Sequence, residues 1–185
     1  MAAYYLISQL PSLDGIGENT PIPITEERFM ELCNRFLKAK EREKMQKLTI
    51  SPSREPENTG AAFIDAWNES ERTLRFALGK VRAEKWKLSF ETENRNIPVK
   101  YIRAAGTAIE MENPMEAEGF LNRFRLDLLE ELRPMDSFSD EYLYYYGLRL
   151  KLLLRMRQFD TETGEAVYKN IYRSIVNKDR SEAFS

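Results

Sequence analysis

Carboxylates are the side chains of this sequence that could do chemistry in pairs. Asp127 and Glu131, like Glu112 and Glu116, are four residues apart, the spacing of neighbours on one helix face. Such pairs can bind a metal ion or act as a general acid and a general base in catalysis. The same pairs are expected on the surface of any helix in a chain that is 31% charged. We therefore predict no catalytic residue, no metal ligand and no cofactor, and a carboxylate metalloenzyme stays open only as a third hypothesis.

Other common catalytic arrangements are missing from the sequence. Its 185 residues include no histidine, which removes Ser-His-Asp and Cys-His catalysis and His-ligated zinc. Cys33 is the single cysteine, and its place beside Leu32 and Phe36 in a helical pattern favours a buried structural thiol. Gly15 and Gly17 form only a GxG, and there is no P-loop and no G-x-S-x-G. We predict that the protein is not an enzyme.

The charge balance gives little reason to expect nucleic acid as a ligand. The formal net charge is −2, whereas nucleic-acid-binding domains usually carry a basic surface. Four tyrosines at positions 142 and 144–146 stand near arginines and could stack on bases. Tyr142 and Tyr146 are four residues apart, however, which favours packing on a helix with a hydroxyl edge in water. A helical nucleic-acid-binding module or a general adaptor remains the alternative function.

The segment Ser139–Phe159 is the element around which the rest must pack. Ser139 can cap a helix, and acidic residues follow it in the first turn. Two apolar series at steps of three and four run through the segment, which predicts a helix embedded among others. Gly147 indicates a close helix–helix approach. Four cations among the leucines argue against a membrane span, so no direct membrane insertion is expected.

Helical periodicity recurs along most of the chain. A helix that starts at Thr25 turns into a mixed-charge run at Lys38–Lys47, which is typical of a solvated face. Further helices are predicted for Ala61–Leu88, for the segment from Asn113 to Arg133, and for Glu165–Val176. Two segments are ambiguous: Val99–Met111 fits a strand or a short helix, and Tyr4–Leu10 fits a strand or a docked arm. The fold predicted is an all-α bundle of five to six helices in one domain, residues 1–185. If the bundle divides into two lobes, the boundary is the Pro-rich stretch Ser51–Gly60.

Several stretches resemble a bacterial family of unknown function whose genes lie beside those of V/A-type ATPase subunits. The similar stretches are YYLISQLPSL, TEERFMELC, FIDAWNESERTLRFALGKVRAEKW and YYGLRLKLLLRMRQFDTETGEAVYKNI, which together cover most of the chain. The strongest are Leu74–Ala83 and Leu148–Gly164. In the second, the family's R-x-x-x-D-x-x-x-G corresponds to Arg155 or Arg157 followed by Asp160 and Gly164.

The resemblance implies a non-enzymatic accessory or stalk subunit of a V/A-type rotary ATPase, similar to the helical C/d subunit. Its partners would be other subunits of that ATPase, bound through protein–protein contacts. It would be cytoplasmic, and peripheral at the inner face of the membrane through those partners. The family assigns no residue roles, so the partner-facing residues come from the basic helices: Arg72, Arg75, Arg82, Arg149, Lys151 and Arg155.

Overall fold

A computed structural model describes residues 2–16, 20–90 and 96–158. Within these residues there are seven α-helices and no strand, packed as a bundle. The all-α prediction is confirmed, and none of the described helices is long and apolar enough to cross a bilayer. The helices are α1 (Ala2–Ile7), α2 (Glu26–Phe36), α3 (Ala39–Gln46), α4 (Ala62–Trp86), α5 (Val99–Glu110), α6 (Pro114–Glu131) and α7 (Asp140–Gln158).

Side-chain caps fix the starts of three helices, as their sequences predict. The Thr25 hydroxyl accepts a hydrogen bond from the Arg28 amide at 3.2 Å and begins α2. Asn113 caps α6 in the same way, with Pro114 at the first helical position. The Ser139 hydroxyl accepts from the Tyr142 amide at 3.2 Å at the start of α7. Each cap satisfies an amide that has no partner within its own helix.

The described residues form seven helices where five to six were predicted, because α1 was not predicted as a helix and because one predicted helix is divided into α2 and α3. The stretch that starts at Thr25 breaks at Leu37, whose extended backbone separates α2 from the charged α3. The side chain of Leu37 is only 7% exposed, so the residue at which α2 ends is packed in the core. The Tyr4–Leu10 run forms the short helix α1 over its first residues rather than a strand. The predicted helix Glu165–Val176 lies outside the described residues.

The ambiguous segment at Val99–Met111 is the helix α5. Tyr101, Ala104, Ala105 and Ala108 are buried along one face of it, at the steps of three and four that suit a helix. Alanine has the highest helix propensity, and its small side chain allows α5 to lie close to α4.

Two hydrophobic clusters make up the core. The larger one surrounds α7 and includes Trp67 of α4, and the smaller one joins α4, α5 and α6 around Leu74. The change from one cluster to the other falls within α4, and there Glu71 is 2% exposed and Arg125 of α6 is 6% exposed. We call the buried side chains of Glu71, Asn122 and Arg125 the polar layer.

Residues 51–60 lie against α4. They are the lobe boundary that the sequence predicts if the bundle divides. The Arg75 guanidinium donates to the Pro52 carbonyl oxygen at 2.8 Å, and the Thr59 hydroxyl donates to Asp65 at 2.8 Å. These bonds hold the connection to the helix that passes through both clusters. The division into lobes stays a prediction.

Candidate interaction surface

Most of the six cations predicted to face a partner are already bonded to groups of the chain itself. On α4, Arg72 is 8% exposed and donates to Glu69 at 3.2 Å. Arg75 donates to Glu71 at 3.4 Å as well as to the connection that follows α3. Arg82, one turn before the end of α4, is exposed. Two of the three α4 cations predicted to face a partner therefore make contacts within the chain.

The α7 cations also have partners within the chain. Arg149 donates to the Tyr145 hydroxyl at 2.8 Å and pairs with Glu130 of α6. Lys151 pairs with Glu26 at the start of α2. Arg155 donates to Glu118 of α6 at 2.6 Å. These side chains fasten α7 to its neighbours, and a role in partner binding for any of the six stays a prediction.

The polar layer is an internal ion pair with a fixed geometry. Arg125 meets Glu71 through two parallel hydrogen bonds, Nε to Oε2 at 3.0 Å and Nη2 to Oε1 at 3.1 Å. Its Nη1 donates to Asn122 at 3.0 Å. A buried charge needs such pairing because leaving water costs several kcal/mol per ion. The layer sets how α4 and α6 pack against each other and offers no reacting group to solvent.

The α7 tyrosines are packing residues, as their spacing indicates. Tyr144, Tyr145 and Tyr146 are all less than 5% exposed. Burial raises the pKa of Tyr145 to about 12, and burial together with the nearby Asp140 carboxylate raises that of Tyr144 to about 12. Their hydroxyl groups are thus protonated and neutral at physiological pH. They stabilise the core and do not line an exposed stacking platform.

An exposed apolar surface lies where α1 meets the connection between α6 and α7. It consists of Tyr4 (52% exposed), Tyr5 (59%) and Phe138 (51%), with Met135 (102%) three residues before Phe138 in the same connection, and we call it the aromatic surface. The Tyr4 and Phe138 rings lie 4.9 Å apart between centroids, and the Tyr4 and Tyr5 rings lie 5.8 Å apart, edge to face. Large apolar side chains gathered in the open are typical of a protein–protein contact.

Buried anchors hold the aromatic surface in place. Leu6, beside the two tyrosines, is fully buried in the larger cluster and fixes α1. The Tyr146 hydroxyl donates to the Pro11 carbonyl oxygen at 2.9 Å, which ties the chain after α1 to α7. On the other side, the Phe138 amide donates to Asp136 at 2.9 Å. Because Leu6 fixes α1 in the core, the α1 part of the surface loses little backbone entropy on binding.

The connection that carries part of the aromatic surface is mainly acidic. Residues 134–141 carry Asp136, Asp140 and Glu141 and no cation, and the preceding Arg133 is paired with Asp14 and Glu130, while α1 carries no charged side chain. A complementary surface would therefore combine an apolar depression with a basic rim. The six predicted cations would instead require a partner surface with negative charge.

Sequence periodicity does not reveal the aromatic surface. Met135 and Phe138 lie in a connection outside any helical pattern, and the apolar run at Tyr4–Leu10 does not show which side chains are exposed. The available signal is the presence of two large apolar residues in a short polar connection, where a turn alone would not need them.

No group of three or more Cys, Asp or Glu side chains that could hold a metal ion is present among the described residues. No protein-family model, no curated protein and no solved structure matches the chain.

Proposed function

We propose that this protein is a non-enzymatic accessory or stalk subunit that acts through protein–protein contacts, with subunits of a V/A-type rotary ATPase as its partners. The aromatic surface is the observation that supports a contact role. The choice of partner rests on the sequence resemblance, and with it the cytoplasmic location at the inner face of the membrane.

The chemistry of the aromatic surface suits a contact that binds through a few residues. Tyrosine and other aromatic side chains contribute much of the energy at interfaces when they enter an apolar pocket. Tyr5 and Phe138 expose 59% and 51% of their surface, so each has a large area left to bury. The proposed partner offers an apolar depression flanked by Lys or Arg side chains, which would meet the carboxylates of residues 134–141.

Co-purification from native membranes tests the proposal. Wild-type protein with an affinity tag is expected to retain ATPase subunits, and the Tyr5→Ser/Phe138→Ser variant is expected to retain at most about a tenth as much. Trp86→Ser is the matched control, because Trp86 is an aromatic residue of similar exposure, 61%, on the last turn of α4. Thermal unfolding of each variant checks that the fold is kept.

Two results would contradict the proposal in different ways. Retention of a protein unrelated to the ATPase, lost in the double variant, would keep the contact surface and reject the named partner. Equal retention by wild type and double variant would reject the surface. Arg82→Glu reverses the charge of an exposed α4 cation from the predicted set without breaking a described ion pair, and it tests the predicted basic contact separately.

A further inference from the structure

A cleft of about 550 Å³ opens between α3, α4 and residues 49–59. Its α3 side carries Lys40, Lys44 and Lys47, which follow each other at steps of four and three and so share one helix face. Its α4 side carries Asn68 and Arg72, one turn apart. The volume lies within the range of about 300–1,000 Å³ that is usual for small-molecule sites.

Positive charge exceeds negative charge along the walls of the cleft. The four cations Lys40, Lys44, Lys47 and Arg72 face two carboxylates, Glu43 and Glu57. Lys47 pairs with Glu43 at 2.7 Å, and the Lys44 ammonium donates to the Gly60 carbonyl oxygen and not to a carboxylate. The walls therefore favour an anion over a neutral or cationic ligand.

Two side chains of low exposure in the cleft have polar groups that make no hydrogen bond to a described residue. Arg72 is 8% exposed and uses Nε for Glu69, while its two Nη atoms make no hydrogen bond to any described residue. Asn68 is also 8% exposed and lines the cleft, and its amide makes no hydrogen bond within the described part of the chain. None of these unused atoms is among the fully buried unpaired atoms of the described residues, so they face the space of the cleft, where a ligand can reach them.

We propose that this cleft binds a phosphorylated small molecule. A guanidinium presents several N–H donors in one plane, which suits phosphate oxygens, and lysine ammonium groups add charge from the α3 side. Ile64, one turn before Asn68 on α4, offers an apolar wall for the rest of the ligand. This site is separate from the aromatic surface and does not rest on the proposed partner.

Titration calorimetry with inorganic phosphate, pyrophosphate and adenosine 5′-monophosphate tests the site on the full chain. Wild type is expected to bind at least one of these probes with one-to-one stoichiometry. Arg72→Met keeps the side-chain bulk and removes the guanidinium, and its affinity is expected to fall about tenfold or more. Lys40→Met, at an exposed position, is expected to weaken binding less and to leave the fold intact.

Arg82→Met is the matched control, because it removes an exposed cation of the same helix that does not line the cleft. It is expected to bind like wild type. Should none of the three probes bind at millimolar concentration, the site is refuted. Equal losses in the Arg82 and Arg72 variants, or binding of a DNA or RNA oligonucleotide without binding of any probe, would also overturn it, because a diffuse basic surface would then account for the binding.

Discussion

Removing one partner of the buried Glu71–Arg125 pair is expected to destabilise the protein strongly. In Glu71→Leu, Arg125 loses both short hydrogen bonds to Glu71 and keeps Asn122 at 3.0 Å and Glu118 at 3.4 Å. Breaking a buried ion pair typically costs about 3–5 kcal/mol. Because two acceptors remain for Arg125, we expect the lower end, about 3 kcal/mol. At about 2–4 °C per kcal/mol for a chain of this size, Tm should fall by about 6–12 °C.

Urea unfolding measures this loss, with the slope of the free energy against urea concentration as the check on compactness. The double variant Glu71→Leu/Arg125→Met removes both buried charges, and it should recover most of the lost stability because Arg75, the other partner of Glu71, is 35% exposed and keeps its bond to Pro52. Glu31→Leu is the control. It breaks an ion pair with Arg28 whose side chains are 65% and 62% exposed, and should change stability by roughly 0–1 kcal/mol.

The reasoning is refuted if Glu71→Leu costs no more than the Glu31 control. It is also refuted if the double variant is as unstable as the single one. In that case the polar layer would contribute through packing volume and not through charge.

Two further outcomes follow from the α7 contacts. Gly147→Ala should lower the free energy of unfolding in urea by about 1–2 kcal/mol, because its Cβ would lie 2.9 Å from Leu48 and 3.1 Å from Phe29. The control Gly106→Ala has nothing within 4 Å of its Cβ and should raise that free energy by up to about 1 kcal/mol. An unchanged free energy of unfolding in Gly147→Ala would refute the close packing. The pKa of the Tyr144 hydroxyl is about 12 in the folded state and 10.0 in the free side chain. Its contribution to stability is therefore complete below pH 10 and falls as pH rises to 12. Urea midpoints across that range should decline less steeply in Tyr144→Phe than in wild type, and equal slopes would contradict the assigned cause.

Local signals in the sequence predict much of this fold. The caps at Thr25, Asn113 and Ser139 each depend on a side chain and an amide two or three residues away, so they can be read directly from the sequence. The close approach at Gly147 is likewise confirmed, because a glycine within an apolar helix has few other uses.

Long-range contacts account for the features that the sequence does not reveal. A helix as short as α1 is not stable alone, and it forms here because Leu6 is buried in the core. Arg125 finds its carboxylate 54 residues away, at Glu71. The candidate cations illustrate the same limit, since sequence gives the charge of Arg72 and its helix but not the depth at which it lies.

The polar layer also bears on how this sequence can change. Leu74 belongs to one hydrophobic cluster and Leu148 to the other, with the charged pair between them. Substitutions that share no neighbours have nearly additive effects on free energy. Each half of the interior can therefore be redesigned while the other is held constant, provided that the intervening ion pair is retained.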